Sequence, residues 1–310
     1  PGAVWGGAPP GDMPGARLRD WHAAADGQGV TIRHGHKVTA LEQQGGSISG
    51  AVAIKESTGE EVRLSAPTVV LATGGINGSH AECRANGPEH RAQPATLLNG
   101  AHPVADGKLH HWAEDHLGAK ITHAGEMWNY AAGFPHPYPH FPGHGLSTIP
   151  CKSALWLNHR GERIGPEPLV TGFDTHWLCQ RVAEQEKPWT WHLLNRRIAL
   201  KEFAISGAEH NARIRDKQFP LFLKELLLGN KPLVNQMQNE SRHFLADDTL
   251  EGLAKKMNAL TCSLDIDAAT LQATADAFDA NFRKGHQLHN DSHIRLKHHA
   301  STRGQDRART

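Results

Sequence analysis

The chain has 310 residues, and its 33 lysines and arginines nearly balance its 32 aspartates and glutamates, for a formal net charge of +1. That balance leaves no electrostatic footprint for nucleic acid or an anionic membrane surface. No apolar run reaches the ~18 residues of a transmembrane segment; the longest, Thr68 to Ala72 and Leu221 to Leu228, have the size of core segments.

The length allows one large or two modest domains. Pro1-Gly2-Ala3 lacks a Met, a basic region and an apolar stretch, and reads as a cut or mature end rather than a signal peptide. Cys83, Cys151, Cys179 and Cys262 are far apart and form no C-x-x-C pair. Such spacing argues against structural zinc or a disulfide framework and implies a reducing, cytoplasmic compartment.

Residues 1 to 15 are rich in Gly and Pro without periodicity. Leu18 to Asp26 reads as a helix with Leu18, Trp21, His22 and Ala25 on one face. Strand-like runs follow at Val30 to Arg33, Lys37 to Glu42, Ser49 to Lys55, Glu61 to Ser65 and Thr68 to Leu71. Gly45-Gly46 and Thr58-Gly59 stand where turns are needed, so a meander is predicted. Residues 105 to 118 read as a helix ending at Gly118.

From Ile121 the texture changes. Phe134 to Gly145, dominated by Pro, His and Gly, is predicted to be a long irregular loop. Ala154 to Asn158 reads as a short strand entering a tight turn at His159-Arg160-Gly161. Helices are predicted at 174–187, 195–203, 219–228, 248–257 and 267–282; Asp248-Thr249-Leu250-Glu251 offers a cap and an acidic first turn. The expected fold is α/β or α+β, with a β-rich segment over 1–120 and a mostly helical one over 121–310.

Two motifs carry chemistry. In Thr68-Val69-Val70-Leu71-Ala72-Thr73-Gly74-Gly75 a β-branched run, expected to be a buried strand, ends in residues that let a ligand approach backbone closely. An ordinary Gly-Gly turn would look the same. Asp106-Gly107 opens a helix and can set a carboxylate beside a polar ligand, or merely cap the helix.

Order adds what each motif lacks alone. His36-Lys37-Val38-Thr39-Ala40-Leu41, the meander, Ala72-Thr73-Gly74-Gly75, Ala105-Asp106-Gly107 and Leu117-Gly118-Ala119 succeed one another, and Trp156-Leu157-Asn158-His159-Arg160-Gly161-Glu162-Arg163 follows. This set resembles the FAD-binding-2 flavoproteins, which include fumarate reductase and succinate dehydrogenase flavoprotein subunits and the 3-ketosteroid Δ1-dehydrogenases. It is most similar to the bacterial FAD-binding dehydrogenase branch, with further likeness at Glu126 to Tyr130, Gly172 to Thr175, Lys201 to Gly207 and Met257 to Leu260.

The resemblance implies an FAD-dependent oxidoreductase acting on a small molecule. Residues 1–120 would be part of an FAD-binding domain and 121–310 a capping domain over the substrate. Val38, Ala72, Thr73, Gly74, Gly75, Asp106 and Gly107 would contact FAD. The family's G-x-G-x-x-G does not occur in these 310 residues, which therefore read as an internal piece of a longer flavoprotein, expected to bind FAD weakly or not at all by itself. A remnant that no longer holds FAD and binds a partner is the other reading.

Tyr130 stands where fumarate reductases have a histidine, and Phe173 near their proton-delivering arginine. Phe173 cannot bind a carboxylate, which argues against a dicarboxylate and for an apolar ketone or enone. Tyr130, one of only two tyrosines, is then the catalytic candidate, as acid or hydrogen-bond donor to the carbonyl; a buried packing role is the alternative. Trp128 reads as packing. A hydrolase finds no G-x-S-x-G elbow.

Histidine is frequent, at 23 residues. His136, His140 and His144 recur every fourth residue, but Pro135, Pro137, Pro139 and Pro142 forbid a helix that would converge them. His289 and His293 stand at i, i+4, yet Asn290 replaces the metalloprotease glutamate and no third ligand is evident. No metal is expected.

Overall fold

The computed structural model describes residues 27–87, 92–127, 129–165, 175–207 and 209–284. The expected helix at Leu18 to Asp26, Trp128, Phe173, and the His289–His293 pair lie outside them. The chain divides into two compact units, Pro1–Pro88 with Asn99–Met127, and Glu89–Leu98 with Trp128–Thr310. The architecture is mixed α and β, as expected, with antiparallel sheets only among the described residues.

The first unit is built on the meander. Strands β1 (His36–Gln44), β2 (Ser47–Lys55) and β3 (Glu60–Ser65) pair in that order, with Val38 opposite Ala53 and Leu41 opposite Ala51. Gly45 and Gly46 both take positive φ, 58° and 82°, as a two-residue hairpin turn of matching twist requires. Helix α1 (His80–Ala85) starts at Ser79, whose side chain accepts the Glu82 amide. Helix α2 (Lys108–Leu117) ends at left-handed Gly118 and buries Leu109 and Ala113, an i, i+4 pair.

Two expected strands are absent. Val30 to Arg33 and Thr68 to Leu71 form no ladder, and Val70 is 82% exposed. Continuous β-branched runs suit strands flanked on both sides, and these runs find no flanking strand among the described residues. The segment leading to Gly74-Gly75 is thus irregular and largely exposed, not a buried strand.

The second unit carries the larger core. Strands β4 (Gly133–Pro135) and β5 (Gly145–Ile149) form a hairpin inside what reads as an irregular loop, and β8 (Ala204–Ile205) adds to β5. Strands β6 (Leu155–Leu157) and β7 (Trp191–Leu193) pair separately. The helices are α3 (Thr175–Ala183), α4 (Arg196–Glu202), α5 (Ala212–Arg215), α6 (Phe219–Leu228), α7 (Lys231–Glu240), α8 (Leu250–Thr261) and α9 (Ala268–Arg283). Of these the short α5 and the longer α7 lie outside the expected helices, although Asn230 caps α7 by accepting the Leu233 amide and a proline stands in its first turn.

Strand β6 is buried along its whole length. Alternate side chains of a strand point to opposite faces. Leu155 and Leu157 pack with Ala254, Met257, Ile266, Leu271 and Phe278, while Trp156 packs with Ala132 and Ile164. The Trp156 indole donates to Thr190 Oγ1 at 2.8 Å, so the ring is buried without an orphaned donor. Asn158 Oδ1 then accepts the amides of Arg160 and Glu162, closing the turn.

The Leu221 to Leu228 run, in contrast, forms helix α6 with most of its leucines exposed. Replacing Leu157 by Ala should lower the unfolding free energy of this unit by about 2–5 kcal/mol. Leu227→Ala should cost no more than about 0.5 kcal/mol. Urea titration of both variants checks this.

Burial holds the His192 imidazole down to about 4. The folded ring stays neutral where the unfolded one, near 6.5, takes a proton. The unfolded state then binds more protons, so stability falls as pH drops from about 6.5 to about 4. The slope should approach about 1.4 kcal/mol per pH unit from this group and flatten in His192→Leu, as measured by denaturation across that range.

Candidate functional site

In the first unit, two loops and the start of β1 meet. Gly78 donates to Ala105 O at 2.8 Å, and the buried Asn99 side chain donates to Gly78 O at 2.9 Å. Asn99 Oδ1 also accepts the Ala101 amide. These bonds stitch the segment after Gly75 to the one before Asp106. Asn99 gave no motif in the sequence; only its burial reveals it.

Ala72, Thr73, Gly74 and Gly75 are exposed. Gly74 has φ +80°, and a Cβ there would sit 3.8 Å from the Ala105 methyl; at Gly75 a Cβ would meet open space. Gly107 has φ +70° and caps α2, and a Cβ there would come 2.9 Å from Ile76 Cγ2. The left-handed backbone and that clearance together call for glycine.

Asp106 lies between them. Its Oδ1 accepts the Lys108 amide at 3.2 Å, and its Oδ2 stands 2.9 Å from Lys108 Nζ. Partial desolvation pushes its pKa up, but the Lys108 side-chain and amide bonds, the Lys108 charge and the Lys37 charge outweigh it and hold the carboxyl below its ordinary value. Helix α2, which Asp106 and Gly107 open, packs against β1, and the Lys37 charge of that strand reaches Asp106. Val38 is 36% exposed beside a register shift of β1. The structure therefore brings Gly74, Asp106, Gly107 and the start of β1 together.

Behind them His111 Nε2 meets Glu82 at 2.8 Å and joins α1 to α2. The Glu82 bond, reinforced by Glu114, raises the His111 pKa against its desolvation.

Tyr130 belongs to the second unit and is 46% exposed. It precedes Ala132, which packs with Trp156. The proline-rich histidines form no helix, but they converge by another route. Hairpin β4–β5 sets the His136 ring 4.3 Å from His144 and 5.5 Å from His140. Burial, then the neighbouring imidazoles of His136 and His140, push His144 down to about 4.

The sequence matches the FAD binding domain family over residues 16–304. The chain belongs to that family. FAD is the family's cofactor. The chain is 31% identical over 267 residues to a KsdD-like steroid dehydrogenase of Mycobacterium tuberculosis, covering 81% of this chain and 46% of the relative. It is 29% identical over 264 residues to a KsdD-like steroid dehydrogenase of Mycolicibacterium smegmatis, covering 81% of this chain and 48% of that one. The chain spans about half the length of the curated relatives it matches. No helix among the described residues is long and apolar enough to cross a membrane.

The residues present suit the cofactor's polar adenosine end. A carboxylate held ionised, exposed Gly74-Gly75 backbone and open space at Gly75 offer acceptors and close approach.

Gly107→Ala should destabilise the first unit by about 1–3 kcal/mol, from left-handed strain and the Ile76 overlap. Gly75→Ala, with open space and no positive φ, should change stability by less than about 0.5 kcal/mol. Hydrogen exchange of the β1–β3 amides distinguishes the two.

Proposed function

We propose that this chain supplies the adenosine-side FAD contacts and the capping segment of an FAD-dependent dehydrogenase acting on an apolar, steroid-like ketone. The convergence of Gly74, Asp106 and Gly107 at the start of β1 is the observation that carries this reading. Residues 1–120 are the FAD-binding part and 121–310 the capping part. The steroid dehydrogenases among the relatives support the substrate class.

FAD, when bound, supplies the two-electron oxidant. The Asp106 carboxylate accepts hydrogen bonds from ribose hydroxyls, which its ionised state favours. Ala72, Thr73, Gly74 and Gly75 present backbone without bulky side chains, and left-handed Gly107, buried against Ile76, sets the helix start behind Asp106. The Val38 backbone bonds the adenine edge. Tyr130 donates its hydroxyl proton in a hydrogen bond to the substrate carbonyl oxygen, stabilising charge that develops there.

The test uses the enzyme that contains this segment. Asp106→Ala should lower bound flavin, read from the visible spectrum after gel filtration. Tyr130→Phe should retain flavin and slow its reduction by substrate by about 100- to 1000-fold. Unchanged reduction with a lowered melting temperature would leave Tyr130 as a packing residue.

A further inference from the structure

We propose that the second unit holds a transition-metal ion of the zinc class, coordinated by His136, Glu209 and His210. This site is separate from the FAD reading and does not depend on it.

The sheet topology builds the site. Strand β4 ends at Pro135 and β5 begins at Gly145, and the intervening chain closes on itself through the His136 amide, which donates to His144 O at 2.9 Å. Strand β8 pairs with β5, and Ser206 donates to Ser147 O at 2.9 Å as the chain leaves. Asn211 Nδ2 then donates to Ile205 O and Gly207 O, folding the turn that presents Glu209 and His210. Two segments remote in sequence are thereby aimed at one point.

The distances fit a metal polyhedron. Zinc bonds of about 2.0–2.1 Å in a tetrahedron put neighbouring ligand atoms about 3.3–3.4 Å apart. Glu209 Oε2 lies 3.3 Å from His136 Nε2 and 4.0 Å from His140 Nε2. The ligand atoms of His136, Glu209 and His210 all fall within 4.8 Å of one another, as do those of His136, His140 and His144. The His210 ring is tilted 47° to the His136 ring. His144 stacks on His136 at 10°, and its Nδ1 accepts the His140 amide, so it props the loop.

His210 adds an independent observation. Both of its ring nitrogens are shielded from solvent, and the Gln236 side chain can engage only one of them. A shielded imidazole nitrogen left unsatisfied is costly in a folded protein. Ligation would satisfy it. Two imidazoles and one carboxylate favour zinc, copper, nickel or cobalt over magnesium and calcium. These three protein ligands clamp the β4–β5 loop to the turn after β8 and leave a fourth position for water.

Binding has a definite local cost. His136 Nδ1 accepts the Tyr138 amide at 3.0 Å, so its proton sits on Nε2, facing Glu209. Coordination at Nε2 moves that proton to Nδ1, and the Tyr138 amide must turn away. The loop at Tyr138 therefore moves when metal binds.

The experiment strips the full chain with EDTA and titrates it with cobalt(II) chloride, then zinc chloride. One saturable equivalent, the visible bands of tetrahedral cobalt, their bleaching by zinc and a shifted Tyr138 amide resonance are expected. Glu209→Gln, nearly isosteric and half exposed, and His210→Gln should each weaken cobalt binding at least tenfold with an unchanged metal-free melting temperature. The His289→Gln/His293→Gln double variant should bind as before. Absence of saturable binding, equal affinity in Glu209→Gln and His210→Gln, or loss of binding only in the His289/His293 variant would overturn the proposal.

Discussion

Burial of β6 organises the second unit. This strand is three residues long and none of its side chains reaches solvent. Its two faces serve two cores, the leucines against α8 and α9 and Trp156 against Ala132, Ile164 and α3. Because strand side chains alternate, a one-residue slip would put the indole among the leucines and the leucines against Ala132. Pairing with β7, the Asn158 turn and the Trp156–Thr190 bond hold the register. The Arg163 guanidinium, 4.6 Å from the Phe278 ring centre, fastens the returning chain to α9.

The first unit works by different means. Its buried apolar residues are few among the described residues: Leu41, Ala53, Leu109, Ala113 and Met127. Hydrogen bonds through Asn99, Gly78 and the Asp106 carboxylate order the loops instead. Backbone and small side chains are thereby left open beside a fixed negative charge. This arrangement suits a polar ligand that must come close.

Both long apolar runs reverse the usual inside-out rule: Val70 and the leucines of α6 are exposed. Hydrophobic content raises the average tendency to be buried, but a run is buried only where another element covers it. The same dependence separates β1, β2 and β3, each with a partner a short turn away, from Val30 to Arg33 and Thr68 to Leu71, which have none among the described residues.

The sequence by itself determined what is local. Turn glycines with positive φ, the Gly118 stop of α2, the Thr249 cap of α8 and the period of α9 follow from neighbours in the chain, and they were legible. The ordered set of family motifs was legible too, because each is a contiguous string. Tertiary structure alone decided what depends on distant pairing. Asn99 became a hinge point only by meeting Gly78, and helix α7 is held by burial of Leu233, Val234 and Met237 against β5 and β8 residues such as Leu146 and Ile205. The prolines do rule out a helix through His136, His140 and His144, as the sequence implied. A β hairpin with a third strand gathered them regardless, and brought Glu209 and His210 to them across the sheet. Strand pairing joins residues far apart in sequence, and no local pattern records which ones will meet.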